Sequence, residues 1–135
     1  MNRRRVRAEY SLAALLCLAG CEVAFAQALP KLPDLQRGQW KMSGTGDWTA
    51  CGHPLDSLYK EYEEFGKLRE MGCLVNVTTP RLRTVAVAVE CPKESKIGLV
   101  QTSFTYSSPN PQSFSVESVL RGKSKTLSGV RVGDC

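Results

Sequence analysis

The stretch from Cys73 to Cys91, CLVNVTTPRLRTVAVAVEC, limits what this chain can fold into more than any other. Cys73, Val75, Val77 and Thr79 fall on one side of an extended chain, and Val85, Val87, Val89 and Cys91 fall on one side of the next. Successive side chains of a strand point to opposite faces, so each half buries one face and exposes the other. Folding the stretch as a hairpin with Cys73 opposite Cys91 sets Val75 against Val89, Val77 against Val87 and Thr79 against Val85, with a turn near Leu82. One register satisfies both the valines and the cysteines. A directly opposed, non-hydrogen-bonded antiparallel pair has Cα atoms about 4.5 Å apart, a separation that a disulfide tolerates.

The N-terminus reads as an export signal, residues 1–26. A basic region, MNRRRVR, precedes the apolar run SLAALLCLAG, which is too short to span a bilayer as a helix. Ala24 and Ala26 fit a small-x-small cleavage site that would leave Gln27 as the new N-terminus. Leu18, Ala19, Gly20 and Cys21 also resemble a bacterial lipobox, in which a lipidated Cys21 would tether the protein to a membrane. The apolar residues after Cys21 favour the untethered product. Of the six cysteines, Cys17 and, with the first site, Cys21 leave with the signal. The four that remain, Cys51, Cys73, Cys91 and Cys135, allow three pairings, and in an exported domain they imply two disulfides. Pairing Cys73 with Cys91 leaves Cys51 with Cys135. No Cys-x-x-Cys pair occurs, so a structural zinc site is not expected.

The formal charge of +5 is inflated by the signal. Without residues 1–26 the chain has 14 basic and 11 acidic residues, a net of +3. That excess is too small to imply a polyanionic partner by itself. The remaining residues, roughly 110 in number, form one small domain with a thin core, for which covalent bridges are a natural support.

Residues 27–37, punctuated by prolines, read as an extended approach to a domain at 38–135. Gln39 to Thr45 reads as a first strand with Trp40 and Met42 on one face, ended by Gly44, Gly46 and Asp47. From Pro54 to Met71, Leu55, Leu58, Tyr62, Phe65 and Leu68 recur at helical spacing against a charged opposite face. Glu63 precedes Lys67 by four residues, a favourable helical pair, and Gly72 suits the C-terminal cap. After the hairpin, Ile97 to Tyr106, Ser113 to Leu120 and Thr126 to Val132 read as strands joined by SSPNPQ and RGKSK. The expected fold is α+β, a curved antiparallel sheet of about six strands with one amphipathic helix inserted after the first strand, stapled by two disulfides.

Catalytic patterns are weak. His53 is the only histidine, and beside a free Cys51 it could activate a thiolate; a bonded Cys51 removes that chemistry. Gly122, Lys123 and Ser124 mimic the end of a phosphate-binding loop, but Glu117 stands where the motif needs glycine. No metal site, cofactor or enzyme activity is expected. Arg121, Lys123, Lys125 and Arg131 form a basic group near the aromatics Phe104, Tyr106 and Phe114. Aromatics at strand spacing more often fill a core than stack on bases, and export argues against nucleic acid. Such a rim suits anionic lipid headgroups or envelope polysaccharide better. Gly38 and Trp40 also look like the Gly-x-Trp that opens lipocalins, although about six strands fall short of that barrel. Trp40, Trp48, Phe104 and Phe114 are candidates for the core or for the wall of an apolar ligand pocket.

The ordered set of LPDLQRGQW, Cys51, Cys73, Cys91 and the terminal GVRVGDC resembles the exported bacterial family catalogued as domain of unknown function 3617. The matching positions are Gly38 with Trp40, the three internal cysteines, and Gly133 with Asp134 and Cys135. The charged helix between Cys51 and Cys73 is longer than the resemblance leads one to expect. The resemblance implies a periplasmic, disulfide-bonded protein and brings no activity with it. The expected role is a non-enzymatic binding or structural module of the cell envelope, partnered by a protein, lipid or polysaccharide. The alternative is a carrier of a small apolar ligand.

Overall fold

The structure is a computed structural model and describes residues 29–135. The expected export signal, its expected cleavage sites and Cys21 lie outside the described residues. Seven antiparallel strands form one open sheet: β1 (Gly38–Ser43), β2 (Asp47–Gly52), β3 (Leu74–Thr78), β4 (Thr84–Cys91), β5 (Val100–Asn110), β6 (Ser113–Leu120) and β7 (Lys123–Gly133). Their order across the sheet is β2-β1-β7-β6-β5-β4-β3. Strands β3 to β7 follow one another as hairpins, and the β1–β2 hairpin docks on β7, so the first and last strands of the domain are neighbours.

This order places the helices. The chain leaves β2 at one edge and must reach β3 at the other. It does so through α1 (Asp56–Glu63) and α2 (Phe65–Glu70), which lie on one face of the sheet, here called the inner face. Sequence periodicity predicts a single helix, and the chain instead bends at Glu64, which ends one helix and begins the next. The bend also changes the ion pair. Lys67 meets Glu64 at 3.4 Å rather than Glu63. Gly72 follows α2 at positive φ, as a C-terminal cap requires.

The hairpin register matches expectation over most of its length: Val75 faces Val89 and Val77 faces Val87. Pairing stops at Thr78 with Ala86, so the expected contact of Thr79 with Val85 does not form as a ladder pair. Disulfides join Cys73 to Cys91, with Cα atoms 4.2 Å apart, and Cys51 to Cys135, 5.8 Å apart.

The strand count is corrected from about six to seven, and the helices follow the second strand rather than the first. The added strand is β2, which pairs with β1 along its whole length. The other limits move too. Strand β5 begins at Val100 because β4 ends opposite it, at Cys91, and residues 97–99 have no partner on that side. It runs on to Asn110 through Pro109, which sits where the β5–β6 register shifts, a place where a missing N–H does no harm. Strand β7 begins at Lys123, since Arg121 and Gly122 alone form the turn from β6.

The core lies between the inner face and the helices. Trp40, Met42, Val85, Val87, Val89, Tyr106, Phe114 and Val116 from the sheet pack with Leu55, Tyr62 and Phe65 from the helical connection. Residues 29–37 form a strap over the helices and contribute Leu32 and Leu35. The Tyr59 hydroxyl donates to the Pro33 carbonyl and the Tyr62 hydroxyl to that of Pro30. The indole N–H of Trp40 donates to the Gln36 carbonyl at 3.0 Å. No helix among the described residues is long and apolar enough to cross a membrane.

Candidate functional site

Every strand offers alternate residues to the inner face, and where a side chain sits along its strand decides what covers it. Near the strap, Trp40 has no exposed surface, and its ring centroid lies 5.6 Å from that of Phe114. Both are core residues. Phe104 is half-buried, stacked between Phe65 of α2 at 5.9 Å and Tyr106 at 6.3 Å. Trp48 is 44% exposed on the edge strand β2 and is part of neither the core nor the trough that opens beyond Phe104.

Beyond Phe104 the inner face runs out from under the helices. Ladder partners continue it: Phe104 faces Ser118, which faces Lys125; Thr102 faces Leu120, which faces Lys123. These six residues and Arg121 line an open trough of about 460 Å³. Its floor is Phe104 and Leu120, the latter 54% exposed, and its rim is three cations with no carboxylate among them. Neither the strap nor the helices contribute a side chain. The Thr102 hydroxyl is taken up by the Val119 carbonyl at 2.9 Å, so that wall makes no polar demand of its own.

Two arginines have the left-handed backbone that non-glycine residues rarely adopt, Arg83 at φ 55° and Arg121 at φ 52°. For Arg83 the reason is structural. Its guanidinium donates to the Ser108 carbonyl at 2.7 Å, the Ser108 hydroxyl at 3.1 Å and the Asp34 carbonyl at 2.8 Å, tying β5 and the strap to the β3–β4 turn. Arg121 makes no side-chain hydrogen bond or ion pair among the described residues. Its backbone is set by the turn: with Gly122 at φ 76° it makes up the two left-handed residues that a two-residue β6–β7 hairpin turn requires, which leaves its side chain free at the mouth of the trough.

The basic group read from the sequence therefore divides. Arg121, Lys123 and Lys125 meet at the trough. Arg131 does not join them. Its side chain is only 14% exposed, donating to the Arg37 carbonyl at 2.9 Å and pairing with Asp134. It also explains the glycine of Gly-x-Trp, because a Cβ on Gly38 would stand 2.4 Å from Arg131 Nε and 2.5 Å from the Gly133 carbonyl oxygen.

His53 stands apart from the trough. Its Nδ1 accepts the Leu55 N–H at 3.2 Å, and its ring meets Tyr59 edge-on at 4.7 Å. Burial lowers its pKa, Asp56 working against this and Arg37 with it. Cys51 is bonded to Cys135, so no thiolate is available beside it. Among the described residues no group of three or more His, Cys, Asp or Glu side chains could hold a metal ion. A second groove, of about 550 Å³, lies between the strap and the helices, and the Tyr59 and Tyr62 hydroxyls tie its two sides together through the Pro33 and Pro30 carbonyls.

Phe104 and the three cations stand out in the sequence, whereas Thr102, Ser118 and Leu120 do not. The signal that unites them is period two carried through a two-residue turn. Ser118 and Leu120, then Lys123 and Lys125, share one face once Arg121 and Gly122 are assigned to the turn. No protein-family model, curated protein or solved structure matches the chain.

Proposed function

We propose that this chain is a non-enzymatic binding module of the bacterial cell envelope, and that its trough is the binding site. The observation that carries the reading is the division of the inner face. Its own helices and strap fill most of it with apolar side chains, and one apolar, cation-rimmed end is left open. A catalyst would place titratable groups in that opening at distances that let them share a proton, and the lining offers only lysine and arginine as ionisable groups. Two disulfides suit an oxidising compartment, and the apolar leader after a basic start supports export to the periplasm. The resemblance to the exported four-cysteine family points the same way.

Native mass spectrometry of protein recovered from its producing cells tests this. The expected species has Gln27 or a lipid-modified Cys21 at its N-terminus, both bridges intact, and a non-covalently bound small molecule or a cross-linkable envelope partner. Protein that keeps Met1 and four reduced cysteines in the cytoplasm overturns the location. Correctly exported protein with neither ligand nor partner overturns the binding role.

A further inference from the structure

The chemistry of the trough narrows the ligand class, on the reading that the trough is a binding site. Its apolar floor of Phe104 and Leu120 would lie against hydrocarbon, and burying the half-exposed Leu120 is favourable in proportion to the area covered. Its rim of Arg121, Lys123 and Lys125 attracts negative charge, with no carboxylate in the lining to oppose it. Arginine and lysine together suit a carboxylate or phosphate, Arg121 through its planar fork and the lysines as point charges.

The cations are also arranged on one side. Lys123 and Lys125 alternate on β7 and Arg121 sits in the turn at its start, so all three stand at the β6–β7 end of the trough, while Thr102 and Phe104 form the β5 wall. A ligand with charge at one end and hydrocarbon at the other fits this asymmetry.

The volume of the trough admits a single small molecule. About 460 Å³ falls within the range of small-molecule pockets, roughly 300–1,000 Å³. Single-stranded nucleic acid would need free ring faces along its path. Phe104 is already stacked against Phe65 and Tyr106, and Tyr106 and Phe114 are buried. We infer that the trough binds a single-chain anionic amphiphile, its acyl chain on Phe104 and Leu120 and its carboxylate or phosphate head between Arg121, Lys123 and Lys125.

The test is calorimetric titration of the oxidised protein with dodecanoate below its micelle concentration, at low and high salt. The comparison ligands are butyrate, inorganic phosphate, the neutral detergent dodecyl maltoside and vesicles of anionic phospholipid. Dodecanoate should bind one to one and weaken with salt, as charge contacts at an exposed rim do. Butyrate and phosphate should bind at least about tenfold more weakly, lacking the hydrocarbon. K123E/K125E should weaken dodecanoate by about tenfold or more, and L120S should weaken it without changing the salt dependence. All three substitutions fall on exposed or half-exposed positions, and circular dichroism confirms that each variant is folded.

Equal affinity for dodecyl maltoside, or dodecanoate binding that K123E/K125E leaves intact, overturns the charged-head assignment. Binding to vesicles alone means that the surface docks on a bilayer, and overturns a single-molecule site. If dodecanoate fails while the exported protein still carries another ligand or partner, the ligand class is wrong and the binding-module reading stands. If both experiments come back empty, both readings fall.

Discussion

At Gly129 the sheet has no room for a side chain. A Cβ there would lie 2.4 Å from Phe114 Cε1 and 3.0 Å from Met42 Sδ, so the Phe114 ring occupies the space above that glycine. Gly129→Ala should destabilise the protein by about 1–3 kcal/mol, the usual cost of overpacking a core. Gly46→Ala, where nothing lies within 4 Å, is the comparison for the general effect of replacing a glycine in the β1–β2 turn. The Phe114 ring is the main obstacle, so in a double-mutant cycle Phe114→Leu should relieve part of the Gly129→Ala cost. Strict additivity in urea denaturation would show that the ring is not the obstacle. At Arg121 the prediction has the opposite sign. Asn tolerates φ near 52° better than Arg does, so Arg121→Asn should stabilise the protein by up to about 1 kcal/mol while weakening dodecanoate binding. Stabilisation with unchanged binding would mean that the Arg121 side chain takes no part in holding the ligand. These residues also show what the sequence leaves unreadable: GKSK looks like a connector because Lys123, Ser124 and Lys125 are all polar, and only their pairing with β6 reveals which two face the trough. Trp40 was legible as an inner-face residue from simple alternation, whereas the glycine preceding it by two positions owes its identity to Arg131, distant in sequence.

The elements divide along the same line. The hairpin β3–β4 was readable because burial, alternation and the cysteines agree on one register. Strand β2 was not, because DWTACG follows two glycines and, as an edge strand, has no fully buried residue; its place depends on pairing with β1. The helix was legible as a face of Leu55, Tyr62 and Phe65 but not as two helices, since periodicity survives a bend that breaks the backbone at Glu64. The strap depends on those helices through tyrosine hydroxyls, and this makes it sensitive to alkali. Burial raises the Tyr59 pKa to about 12, with Asp34 adding to the rise and Arg83 opposing it, and burial raises that of Tyr62 as well. An unfolded tyrosine ionises near pH 10. Because the folded pKa is the higher, the stabilisation is complete below about pH 10 and is lost as pH rises toward 12. Phenolates cannot donate to the Pro33 and Pro30 carbonyls, so the strap loses the Tyr59 anchor in that window and the Tyr62 anchor once that hydroxyl, also raised by burial, ionises. The urea midpoint should fall between pH 9 and pH 11, to an extent set by the folded pKa values. Tyr59→Phe should lower stability by about 1 kcal/mol at pH 8 and flatten the fall above pH 10. A fall of unchanged steepness in that variant would place the alkaline sensitivity elsewhere.

For the whole molecule, the topology brings both ends of the domain to one place. Strand β1 opens the domain and β7 closes it, and they are neighbours, with the β1–β2 hairpin hanging on β7 as the sheet's last two strands. Every contact across that seam joins residues far apart in sequence, which an unfolded chain gives up a large entropy to bring together. The Cys51–Cys135 bridge crosses it. It spans 84 residues, against 18 for Cys73–Cys91, and the loop-closure relation assigns it about 4.6 kcal/mol against about 3.2 kcal/mol for the hairpin bridge. The two removals should also differ in kind. Cys73 and Cys91 are buried, so C73A/C91A opens space in the core as well as freeing the unfolded chain. Cys51 and Cys135 are exposed, so C51A/C135A acts almost wholly on the unfolded state and should leave the folded sheet and the trough unchanged. The expected result is a loss of about 4–5 kcal/mol in urea denaturation of C51A/C135A, together with an unaltered affinity for dodecanoate. A loss below about 1 kcal/mol would mean that the reduced chain keeps these ends together without the bridge, and that β1–β7 pairing persists when the rest of the domain unfolds.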